Sequence, residues 1–418
     1  MWTADSICKG CEILDRMTRS KNIIFAALIT AAFATQVGAE EKAPRFFGAP
    51  PGALVQARAR LAANDLVLKP AFDKLLEEAN KALSLQPPSV MDKPRAGASG
   101  DKHDYLSTAP YFWPDPSKKD GLPYIREDGK RNPESHNEYS DSPRLGRMAG
   151  SAKTLALAYY FTGKNEYAAA SAKFLRVWFL DPATRMNPNF NQAQAIPGIN
   201  TGRGTGMIES RSLTGVCDAA GLLEGSSHWS QADHDGLDSW MKQFLHWAQT
   251  SANGRDEQAA KNNHGTFYDV QIAHLALFVG NTNLARQTIE TARHRRMDTQ
   301  IESDGRQPFE LTRADSFGYS RFNLQALFEL ATLGQHAGVD LWHYQNKNGA
   351  GIKTALDLLM PYTEQPDKPW PYGKTSNRSL ATILGQAGVV YGDARYRVAW
   401  EKSPGWQSQR EMLFFRLP

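Results

Sequence analysis

An all-α fold of repeated antiparallel helix pairs is what this chain predicts, on three observations. Apolar residues recur at helical spacing through most of the 418 residues. No alternating run is long enough to build a large sheet. Residues 155–167 and 272–284 read as the same hairpin: an apolar helix stops at Gly163 or Gly280, a polar turn follows, and a second helix begins. Repeated pairs of this kind form a helical solenoid or an (α/α) toroid, an incomplete helical barrel. A toroid with long loops over its cleft is the predicted fold.

The N-terminus comes first in the chain and stands apart. Arg19 and Lys21 precede an apolar run at 23–33, followed by Val37-Gly38-Ala39 and Glu40-Glu41, the order of a secretory signal with a small-residue cleavage site. Residues 1–39 are therefore expected to be an N-terminal extension plus signal peptide, with Met17 as the true start, and residues 40–418 a single domain. A periplasmic or secreted protein with no membrane span after cleavage follows from this reading. Cys8 and Cys11 lie in the removed part, so Cys217 is the only mature cysteine. Its setting among Val216, Ala219 and Ala220 predicts a buried structural thiol.

Removing residues 1–39 takes four of 48 Lys/Arg and three of 44 Asp/Glu, leaving 44 against 41, or +3. So small an excess does not mark a nucleic-acid binder, yet it suits a locally basic groove for an acidic polymer.

Helices are predicted near 53–63, 70–85, 143–161, 166–180, 231–250, 264–279, 284–295 and 321–336. Between them lie Pro- and Gly-rich loops at 86–142 and 187–205, whose length suggests function. The first carries Tyr111-Phe112-Trp113-Pro114-Asp115-Pro116 and then Gly121 to Arg126. Aromatic faces such as Tyr111 and Trp113 stack on sugar rings, while Arg126 suits an acidic group. A Pro-rich strap packed across the barrel mouth is the alternative reading of the same residues.

Chemistry concentrates in Asn262-Asn263-His264-Gly265-Thr266-Phe267-Tyr268-Asp269 and Arg313-Ala314-Asp315-Ser316-Phe317-Gly318-Tyr319. Taking a proton from carbon beside a carboxylate adds negative charge, so donors must offset it. Asn263 and Arg313 are the donor types required, and His264 and Tyr319 are groups that move protons. A phenol with an ordinary pKa of about 10 needs a nearby cation to act as a base, which predicts a close Arg313–Tyr319 pairing. Glu257, two turns before His264 if the helix starts that early, either orients the imidazole or meets a substrate hydroxyl. Arg203 and Arg211 are expected to bind further acidic sugars; Gly202-Arg203-Gly204 lacks the ending of a phosphate loop. His274, on the same helix as His264, is read as structural.

Together, the Asn262-Asn263-His264 element, the Arg313–Tyr319 element and the aromatic loop resemble the alginate lyase superfamily of α/α-toroid polysaccharide lyases, closest to the family associated with alginate and glucuronan. The resemblance implies Asn263 and Arg313 as carboxylate neutralisers and His264 and Tyr319 as the proton-transfer pair. It further implies a 1,4-linked anionic uronate polysaccharide as partner, β-elimination as the reaction, and no metal or organic cofactor. Two other classes remain open at this point. An α/α-barrel glycoside hydrolase would draw two carboxylates from Asp269, Glu310 and Asp315, and a periplasmic glycan-binding protein would need no proton-transfer pair.

Overall fold

The computed structural model describes residues 43–365, 367–375 and 377–415; the expected extension, signal peptide and CxxC lie outside them. In chain order the helices are α1 (Ala53–Ala62), α2 (Lys69–Leu83), α3 (Ser142–Thr162), α4 (Asn165–Leu175), α5 (Ser212–Leu223), α6 (Gln231–Thr250), α7 (Ala252–Ala259), α8 (Asn263–Phe278), α9 (Thr282–Ala292), α10 (Ser316–Ala337), α11 (Ile352–Glu364), α12 (Ala381–Tyr391) and α13 (Ala394–Glu401). They form an α/α toroid. Helices α3, α5, α8 and α10 pack side by side in succession, and α4, α9 and α11 pack on their neighbours in the chain. The described residues from 44 onward make one compact unit.

The two predicted hairpins are present, and their turns have the expected physical cause. Gly163 (φ 69°) and Gly280 (φ 77°) both occupy the left-handed region that a side chain disfavours, just beyond α3 and α8. Sequence periodicity located the long helices but missed α5, α7 and the helices after residue 350. Helix α5 is short and buried on nearly every side, so it has no polar face to reveal a helical period. Cys217 on that helix is fully buried, as expected, and burial raises its thiol pKa.

The two long loops are not structureless. Strand β1 (Leu106–Thr108) runs parallel to β4 (Gln192–Ala195), which ties one loop to the other. Strands β2 (Phe112–Trp113) and β3 (Ile125–Arg126) form an antiparallel pair within the first loop. Asn132 fixes the base of that pair, giving its backbone N–H to the Pro110 carbonyl and its side-chain NH2 to the Phe112 carbonyl.

The start of α8 is held by a buried ion pair. Arg296, in a π-helical turn after α9 and 1% exposed, gives Nε to Asp269 of α8 at 2.8 Å. Its other nitrogens bond the carbonyls of Ala260 at 2.7 Å and Gln258 at 2.9 Å. One guanidinium thereby fixes both the helix and the loop that enters it. A Cβ on Gly265 would collide with the Ala260 carbonyl and with Arg296, so glycine is required by this close approach.

At the far end of α8, Asp218 of α5 accepts the backbone N–H groups of Phe47 and Gly48 and the Lys153 ammonium at 2.8 Å. His274 lies 3.2 Å away. Lys153 and His274 outweigh the opposing effect of burial and hold the Asp218 carboxyl well below its usual range. His274 is therefore structural, as its position in the sequence suggested.

Arg296→Met should cost about 3 kcal/mol, because it leaves the buried Asp269 carboxylate with only Arg295 at 3.7 Å, and urea unfolding measures the loss. Adding Asp269→Leu should recover most of it.

Candidate active site

Asn262, Asn263 and His264 occupy the N-cap and first turn of α8. Asn262 accepts the His264 backbone N–H at 3.3 Å, the ordinary work of an N-cap amide. Every residue of α8 is buried except His264. Its side chain is 19% exposed, and its Nδ1 lies 2.8 Å from Glu257. With Nδ1–H donated to a carboxylate, Nε2 keeps its lone pair and is the remaining position for proton transfer.

Glu257 is 0% exposed, so the expected contact with substrate is corrected. It stands behind the imidazole, as the alternative reading of its spacing proposed, and fixes the ring's orientation. Its second oxygen is buried without a hydrogen-bond partner.

Asn263 is held by Glu310, from the short helical turn Pro308–Leu311. Glu310 Oε1 accepts the Asn263 backbone N–H at 2.5 Å and Oε2 accepts its side-chain NH2 at 2.8 Å. Burial pushes the Glu310 carboxyl up to about 7, against the lowering effect of those two bonds.

Arg313 and Tyr319 pair closely, as predicted: the guanidinium carbon lies 3.6 Å from the centre of the phenol ring. Two expectations need correction. Arg313 does not present an open fork to a substrate carboxylate, because Nε and Nη2 bond Asp128 at 3.1 and 2.8 Å, and Asp128 also accepts the Ala314 N–H. Nor is the Tyr319 pKa lowered. Burial and the hydrogen bond to Tyr111 raise it, and the Arg313 charge only partly opposes them. Tyr319 gives its O–H to the Tyr111 hydroxyl at 2.7 Å, so the phenol holds its proton.

The remaining expected residues divide. Arg203 gives Nη2 to Gln194 at 2.8 Å, lies 5.1 Å from the Phe112 ring centre and makes no ion pair among the described residues. Gln194 has a left-handed backbone (φ 49°), and its side-chain amide gives a bond to the half-buried Glu209 at 3.3 Å. Arg126 is more than half exposed and touches Asp128 at 3.2 Å. Trp113 sits on β2 with the Lys130 ammonium 4.7 Å over its ring, so its own loop already covers one face. Arg211 is exposed, lies over Phe267 and Phe322, and makes no ion pair among the described residues.

The carboxylates proposed for a hydrolase are occupied. Asp269 pairs with Arg296, Glu310 clamps Asn263, and Asp315 caps α10 by accepting the Gly318 N–H. Asp128 went unrecognised in the sequence, and Glu310, named there as a hydrolase candidate, was not seen as the partner of Asn263. Asp128 sits in an Asp-Gly turn and reads locally as turn chemistry, while the role of Glu310 depends on a partner 47 residues away. Among the described residues no group of three or more His, Cys, Asp or Glu could hold a metal ion.

The toroid carries an oriented imidazole, a buried amide and a phenol stacked on a guanidinium at the starts of α8 and α10, and the chain is a polysaccharide lyase. The alginate lyase family profile matches residues 89–370, and the chain belongs to that family. An alginate lyase from Bacteroides ovatus is 41% identical, with 88% of this chain and 97% of that chain covered and a TM-score of 0.83. A variant of alginate lyase A1-III in complex with a tetrasaccharide is 17% identical, covering 90% of this chain and 98% of its own at a TM-score of 0.61. Alginate lyase A1-III from Sphingomonas species A1 gives 16% identity, coverage of 85% and 98%, and a TM-score of 0.52. These last two likenesses bear on the fold alone. No curated protein sequence matches the chain.

Glu257→Gln should lower kcat about 10- to 100-fold with little change in KM, since an amide holds either tautomer of His264 and so weakens general acid–base catalysis. Steady-state kinetics at several pH values measure the split.

Proposed function

We propose that this lyase cleaves alginate, a 1,4-linked uronate polymer, by β-elimination, with His264 as base and Tyr319 as acid. The observation that carries the reading is the contrast between the two groups. His264 offers a lone pair at Nε2 because Glu257 takes Nδ1, whereas Tyr319 keeps its proton because it is buried.

The base removes the proton from carbon beside the uronate carboxylate. The electron pair forms the new carbon–carbon double bond, and the bridging oxygen leaves with the Tyr319 proton. Arg313, stacked on the ring, steadies the phenolate left behind. The Asn263 amide meets the substrate carboxylate while charge develops on it. Arg203 binds the carboxylate of a neighbouring sugar, and the exposed Arg126 and Arg211 extend the basic surface along the polymer. Tyr111 receives the hydrogen bond of Tyr319 and places that phenol. Export belongs to the same reading, since the polymer lies outside the cell; no helix among the described residues is long and apolar enough to cross a membrane.

Incubation with polymannuronate, polyguluronate, mixed alginate and glucuronan should produce ultraviolet absorbance from an unsaturated uronate on at least one alginate substrate. Tyr319→Phe and His264→Ala should each lower kcat by about 10²–10⁴ without lowering the melting temperature. New reducing ends without absorbance would establish a hydrolase and overturn the reading. Absorbance on glucuronan alone would reassign the substrate.

A further inference from the structure

Glu310 takes no part in the proton transfers above, yet two hydrogen bonds hold it to Asn263. It is 1% exposed and grips both the backbone and the side chain of Asn263. The clamp leaves a defect: the Asn263 side-chain oxygen, Oδ1, is buried without a hydrogen-bond partner. A buried acceptor left without a donor is destabilising.

Turning the amide over would exchange its two ends. Oδ1 would then face Glu310, which is tolerable only if that carboxyl carries a proton to donate. The NH2 would occupy the pocket where Oδ1 now lies, and both its hydrogens would need an acceptor. A uronate carboxylate is such an acceptor. In the present arrangement it would instead meet the electronegative end of the amide, with the negative Glu310 behind it.

The charged and titratable groups facing Glu310 are His264 from α8 and Arg313 from the segment that leads into α10. Arg313 already answers Asp128, and His264 already answers Glu257. Neither is a dedicated counterion for Glu310, which agrees with its raised pKa.

We propose that Glu310 is a proton-linked positioning residue: it takes one proton from solvent when a uronate carboxylate binds, turns the Asn263 amide to present its NH2 to that carboxylate, and releases the proton with product. The inference rests on the lyase reading.

The test uses the Tyr319→Phe protein, so that a mannuronate tetrasaccharide binds without turnover, and calorimetry in buffers of different ionisation enthalpy. Uptake should approach one proton near pH 8 and fall away below about pH 6. Glu310→Gln, whose amide imitates the protonated acid, should abolish the uptake. It should also flatten KM between pH 6 and 8, where the parent enzyme's KM rises up to about tenfold per pH unit. A purely structural Glu310 would leave both readouts unmoved. Uptake that persists in Glu310→Gln, or is absent from the parent at pH 8, overturns the inference. Should Glu310→Gln not fold, His264→Gln decides: retained uptake supports Glu310, and lost uptake assigns the proton to the imidazole. Ultraviolet-absorbing product from the wild type, with no proton uptake, defeats this inference alone. No product on any uronate polymer defeats the lyase reading itself.

Discussion

The site depends above all on one buried ion pair, between Arg296 and Asp269. Arg296 bridges the α8 carboxylate and two carbonyls of the loop at 258–260, so the helix and its entry cannot shift independently. The first residues of α8 are Asn263 and His264, and their positions are set by that anchor. A buried pair of this type adds little net stability compared with an apolar replacement. What it provides here is geometry. Gly265 completes the arrangement, because a side chain there would displace the guanidinium or the loop carbonyl.

A second principle runs through the cleft: each reactive group is placed by an acid behind it. Glu257 fixes His264, Glu310 fixes Asn263, and Asp128 fixes Arg313, which in turn stacks on Tyr319. These carboxylates are buried or half-buried; Glu257 lies seven residues from its partner, whereas Glu310 and Asp128 reach theirs across 47 and 185 residues. Holding a guanidinium or an amide by two bonds removes rotamer freedom before substrate arrives, which preorganises the charge that the transition state needs. The arrangement also leaves Arg203 without an ion pair among the described residues.

The two glycine-terminated hairpins, the apolar helix after Asn262 and the Arg313–Tyr319 pairing were legible because each is written in local spacing: a period of about 3.6 residues, a capping amide, a left-handed glycine. Helix α5 was not legible, since burial on nearly all sides erases the polar face that makes a helix periodic. The state of Tyr319 was also misjudged. Arg313 is beside it as expected, but sequence carries no measure of desolvation, and burial outweighs the cation.

The sequence by itself determined the helical architecture and the chemical types available at the start of α8 and of α10. Periodicity and capping act over a few residues and need no knowledge of distant contacts. Only the tertiary structure decided which groups meet. It buried Glu257 behind the His264 imidazole, closed the Arg313 fork on Asp128 beside the Tyr319 ring, and set Glu310 against Asn263. The physical reason is that a side chain's charge, protonation and free hydrogen bonds depend on which groups share its low-dielectric surroundings. Those neighbours lie as far as 185 residues away along the chain, as between Asp128 and Arg313.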